Sequence, residues 1–176
     1  MNPTVTDQRR QSRSRLRLWR RWLLALHVAL SVSWLGAAMV VLTLAVTART
    51  TQASGEALSA YWAMHLIAVT LEGPLSVSVL LTGILVAVIS PWGLLRYWWV
   101  VVSLIVTCVA VLLSLFALPA ITGAAYDAAT RHDITAELSA GNSLLVAGSV
   151  STGLYLSLTV INVLKPWGRT AHGRHA

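Results

Sequence analysis

The chain has 176 residues, of which 56% are hydrophobic and only 11% charged, with a formal net charge of +7. A water-soluble domain is about 25% charged, and a core of this size cannot hide so much apolar surface from water. The composition excludes an ordinary soluble globule and points to a one-domain membrane protein. The expected fold class is all-α, a polytopic, antiparallel four-helix transmembrane bundle.

Residues 1–21 form a basic arm holding Arg9, Arg10, Arg13, Arg15, Arg17, Arg20 and Arg21. A basic arm can bind nucleic acid. Here it abuts an apolar run, so the expected partner is a bilayer with anionic headgroups on the cytoplasmic side, and no nucleic acid. The first apolar run, 22–47, is too long for the 7–15-residue core of a signal peptide. Val46-Thr47-Ala48 loosely fits a cleavage site, but a membrane-spanning helix is the expectation. Three more runs follow, 61–89, 98–118 and 143–164, each about the 20 residues that a crossing requires. A tail at 165–176 closes the chain.

Lysine and arginine divide unevenly among the connections. The arm, the turn at 90–97 and the tail hold eleven: the seven arginines above, then Arg96, Lys165, Arg169 and Arg174. The segments 48–60 and 119–142 hold two, Arg49 and Arg131. Positive residues stay inside, so both termini are expected in the cytoplasm of a multi-pass plasma-membrane protein. One lysine against twelve arginines, with abundant Ala, Leu and Val, suggests a GC-rich bacterial source.

Tryptophans at the ends of the runs are expected to anchor at the headgroups: Trp19, Trp22, Trp92, Trp98, Trp99 and Trp167. Helices two and four both exit through the same element, Pro91-Trp92-Gly93 and Pro166-Trp167-Gly168, each followed by an arginine. Two readings fit: two pseudo-repeated hairpins from an internal duplication, or one interface chemistry used twice. Small residues at four-residue spacing, Ala25, Ala29, Ser33 and Ala37 on helix one and Ser149 and Gly153 on helix four, mark candidate packing faces. Cys108, the single cysteine, excludes an intrachain disulfide.

Ionisable residues inside a membrane are costly and raise a functional hypothesis. His27 is a candidate haem b or metal ligand; the simpler expectation is a neutral imidazole bonded to a neighbouring helix, with Trp34 on the same face. His65 is expected near the outer end of helix two, too far from His27 to share one haem iron. Glu72 precedes Gly73-Pro74, where the missing proline N–H predicts a kink. It is expected near the outer interface, either as an ion or proton site at a broken helix or as the wetted partner of His65. With His132 and Asp133 of the outer loop, His65 and Glu72 form a candidate divalent-metal set, copper included. A solvated loop helix carrying Asp127, Arg131, Asp133 and Glu137 is the simpler reading.

The segment 81–104, with Leu26-His27, Trp34-Leu35-Gly36 and 165–169, resembles a family of actinobacterial four-helix membrane proteins known only as a domain of unknown function. Pro-Trp-Gly-Leu-Leu-Arg at 91–96 is its most specific part. The family's pattern often carries a lysine where this chain has Ser103, so any role of that lysine is missing here. The His27-x6-Trp34-x-Gly36 element is also similar to the first helix of copper-resistance D type membrane proteins. The resemblance implies no activity. The leading expectation is a non-enzymatic accessory or interaction subunit, with a homo-oligomeric or membrane-protein partner and no cofactor. Haem or copper binding is the first alternative and a small transporter using Glu72 the second.

Overall fold

The computed structural model describes residues 3–90 and 92–170, with only the backbone of 3–17. Pro91, Arg174 and the side chains of Arg9, Arg10, Arg13, Arg15 and Arg17 lie outside the described set. Among the described residues the chain is all-helical, with four helices long and apolar enough to cross a membrane. We label them α1 (Pro3–Thr50, apolar over Leu18–Thr50), α2 (Ser54–Ile89), α3 (Trp98–Thr130) and α4 (Ile134–Leu164). The apolar runs leave 119–142 as a loop, yet most of it is helical. α3 continues to Thr130, and Asp133 caps α4 by accepting the Ala136 N–H at 3.1 Å. His132, at φ 55°, makes the turn between them.

Each helix packs on the helix next to it in the chain, and α4 returns to α1, closing a four-membered ring. On α1 the inward stripe is Trp34, Ala38, Val41, Ala45 and Ala48; on α4 it is Gly141, Leu144, Gly148 and Tyr155. These alternate three- and four-residue steps, the spacing of close helix packing at a shallow angle. The expected four-residue stripes are therefore largely on the wrong face. Ala25, Ala29, Ser33, Ser149 and Gly153 are exposed, and Ala37 alone is buried. The close approach of α1 and α4 is made by Gly148. A Cβ built there stands 3.1 Å from the Cα of Leu42.

Both middle helices contain a π-helical turn, Ala68–Glu72 in α2 and Leu113–Ala117 in α3. Each ends two residues before a proline, Pro74 and Pro119. A proline in a helix has no N–H to donate and its ring crowds the carbonyl four residues back. A widened turn accommodates that loss without ending the helix, so α2 is continuous through Glu72-Gly73-Pro74. The two π-turns face each other: a Cβ at Gly73 would stand 3.2 Å from Leu115 Cδ2.

The two Pro-Trp-Gly exits meet. Tyr97 and Arg169 form an isolated antiparallel bridge, Thr170 N–H donates to the Arg96 carbonyl at 3.0 Å, and the Lys165 ammonium lies 4.5 Å from the Trp92 ring. Their backbones differ. Gly93 has φ 63° in the first exit, whereas in the second the left-handed residue is Lys165 at φ 49°. The matched π-turns, moreover, sit on α2 and α3, which are not equivalent helices of two hairpins. The two exits thus share residue types but not backbone geometry. Trp99 is turned inward at 8% exposure, against the Trp92 ring at 5.7 Å, while Trp19, Trp22, Trp98 and Trp167 stay exposed.

Candidate functional site at the centre of the bundle

Trp34 and Ser114 stand at the midpoints of their apolar helices, and Glu72 stands beside the midpoint of α2. The three come together. Trp34 Nε1–H donates to a Glu72 carboxyl oxygen at 2.6 Å, and Ser114 lines the same cavity as the carboxyl. Tyr155 of α4 stacks on Trp34 with centroids 4.2 Å apart, and it lines one cavity with Ser114 and Ser151. Glu72 is 2% exposed. The expected shallow, wetted Glu72 beside His65 is not what the fold produces. The π-turn carries Glu72 to the inside of the ring, where all four helices supply a group.

A cavity of about 180 Å³ adjoins the carboxyl, lined by Glu72, Ser114, Ser151 and Tyr155 and otherwise by small and apolar side chains from α1, α3 and α4. Burying a polar group is favourable only when it is hydrogen-bonded, and burying a charge only when it is also paired. The hydrogen-bond partner of the Glu72 carboxyl here, the Trp34 indole N–H, is a neutral donor, and Ser114 and Ser151 bring neutral hydroxyls to the same cavity. The arrangement orients a carboxyl toward a small polar space and leaves it able to accept a positively charged guest.

The two intrahelical histidines serve a different geometry, and they do so in the same way. His27 Nδ1 lies 2.9 Å from Thr82 Oγ1, and His65 Nδ1 lies 3.2 Å from Thr122 Oγ1. Each threonine hydroxyl donates its one proton to a carbonyl four residues back, of Ser78 and Leu118. An imidazole that carries its proton on Nδ1 and donates it to the threonine oxygen satisfies both contacts. Each ring also rests on the glycine that follows the threonine, Gly83 or Gly123, where a Cβ would come within 3.1 or 3.3 Å of Cε1. Both are interhelical clasps, one α1 to α2 and the other α2 to α3. The helix between His65 and Thr82 measures about 25 Å, so the rings lie toward opposite ends of the bundle.

The four residues of the candidate metal set do not converge. Glu72 faces the centre, His65 clasps Thr122, Asp133 caps α4 and His132 makes an exposed turn. Among the described residues no group of three His, Cys, Asp or Glu side chains is placed to hold a metal ion. Arg131 bonds the Asp127 carbonyl through Nε at 3.2 Å within its own turn. Sequence reasoning missed Ser114, Ser151 and Tyr155 entirely. One signal was available: Trp34 follows His27 by seven residues, so it lies on the same face as the first clasp.

No family model matches the chain, and no curated protein and no solved structure matches it.

Proposed function

We propose that the chain is a multi-pass protein of a bacterial plasma membrane and acts as a small transporter. In this reading Glu72 binds a positive charge, a proton or a small cation, midway across the bilayer. The helices are antiparallel and both termini are cytoplasmic. Insertion is supported by four apolar helices of sufficient length and by large apolar side chains left outside, such as Val32, Phe116, Val146 and Val163, a surface that lipid would cover. Antiparallel order is supported by contact pairs. Passing from His27 to Trp34 along α1 passes from Thr82 back to Glu72 along α2. Orientation rests on the eleven-to-two division of Lys and Arg. Cysteines introduced at Ser139 and Gly168, in a Cys108→Ala background, test it. The first should label from outside intact cells and the second should not; the reverse pattern refutes the orientation.

The observation that carries the functional reading is one buried carboxyl with neutral donors at the middle of the ring, beside a cavity. An ionised carboxylate within hydrocarbon is costly unless a positive charge accompanies it, and such residues mark ion and proton paths. The paired π-turns add backbone that deviates from the regular ladder at this level, a feature frequent at functional sites. The carboxyl beside a cavity supports the transporter ahead of the accessory-subunit and haem or copper readings. Proteoliposomes enclosing a pH-sensitive dye should exchange internal protons for sodium, potassium or methylammonium faster than empty vesicles. Glu72→Gln should return the rate to that of empty vesicles. Wild-type rates equal to the empty-vesicle rate with all three cations sink the proposal.

A further inference from the structure

The cavity beside Glu72 is only partly enclosed. Along Leu118–Thr130, α3 packs extensively on α4, whereas along Trp98–Leu112 it packs on it much less. The π-turn at Leu113–Ala117 lies at the junction, and the cavity sits where the two helices part. Two of its lining residues show what is on the open side. Leu113 of α3 is 55% exposed and Val150 of α4 is 61% exposed, yet both line the same space as Glu72. They form the lips of a lateral opening on the apolar belt of the bundle.

From this we infer that the Glu72 cavity is entered sideways between α3 and α4, and that its ligand is a membrane-dissolved amphiphilic amine. The inference rests on the reading of Glu72 as a site for positive charge. Size supports the chemical class. A drug-sized ligand fills about 300–1,000 Å³, whereas about 180 Å³ accommodates only a small head. An ammonium group meets the carboxyl and the Ser114 and Ser151 hydroxyls. Its alkyl chain then leaves between Leu113 and Val150 into surroundings as apolar as itself. A small water-soluble cation meets the same carboxyl but gains nothing at those lips, so it is held more weakly. A neutral alcohol would leave the carboxylate without a counter-charge.

The test uses the full chain in lipid vesicles and a membrane-soluble carbodiimide, which modifies carboxyl groups that it can reach through the bilayer. Intact-protein and peptide mass spectrometry follow the rate at Glu72, with Glu72→Gln as the blank. n-Decylammonium should slow modification at least tenfold at a concentration where methylammonium and n-decanol slow it less than twofold. Val150→Trp and Leu113→Trp, both on exposed positions, should each slow modification at least tenfold while helicity and elution volume stay as in the wild type. Equal rates in the lip variants and the wild type overturn lateral entry. Equal protection by decanol or methylammonium overturns the amphiphilic amine. Absence of modification at Glu72 overturns access from the bilayer. None of these results touches the cation-exchange assay, whose failure alone would remove the underlying reading.

Discussion

Gly148→Leu should destabilise the bundle by about 1–3 kcal/mol, the usual range for overpacking a close contact. A Cβ at this position stands 3.1 Å from the Cα and Cβ of Leu42 and 3.2 Å from its Cδ1. Backbone cannot rotate away as a side-chain tip can, so α4 must move off α1. Tyr155 follows Gly148 by seven residues on the same face, and the displacement carries it off Trp34. Gly153→Leu is the matched control: nothing lies within 4 Å of a Cβ there. The control should gain up to about 1 kcal/mol, because leucine replaces the poorest helix former after proline. Thermal unfolding in detergent, followed by helical circular dichroism, separates the two. Equal midpoints would mean that α1 and α4 do not meet through Gly148.

The second large effect concerns the bond at the centre. Trp34→Phe keeps a ring against Tyr155 and deletes the N–H that the Glu72 carboxyl accepts at 2.6 Å. Leaving a buried acceptor short of its donor costs about 1–3 kcal/mol. Trp34→Ala also removes the stack and opens a void, and should cost about 3–5 kcal/mol. A double-mutant cycle of Trp34→Phe with Glu72→Met, which has no strong acceptor for the indole N–H, should return a coupling of at least about 1 kcal/mol, because the residues are in direct contact. A coupling near zero, with Trp34→Phe as stable as the wild type, would show that the central hydrogen bond contributes nothing.

The two effects converge on one layer of the molecule. Gly148 sets the distance between α1 and α4, that distance fixes Tyr155 on Trp34, and Trp34 holds the carboxyl against α3. A cation site needs its carboxyl held in place and its cavity kept open. Substitutions at Gly148 should therefore impair proton exchange without touching Glu72 itself. The clasps at His27 and His65 hold the same three helices together above and below this layer.

The amino-acid sequence by itself determined the number of helices, their approximate cores and the positions of their prolines, because each depends on composition within one segment. A 20-residue apolar run forms a helix in lipid whatever its neighbours are, since only its own carbonyls can satisfy its N–H groups. What the tertiary structure alone decided is which face of each helix turns inward. In a soluble protein the polar face marks the outside. In a chain whose outer surface is as apolar as its core, that contrast vanishes. The small residues at 25, 29 and 33 looked like a seam and are exposed, while the seam runs through Trp34, Val41 and Ala48. Glu72 illustrates the same limit at the site. Its chemistry was legible, but its depth depended on a π-turn ahead of Pro74, and its surroundings came from three other helices.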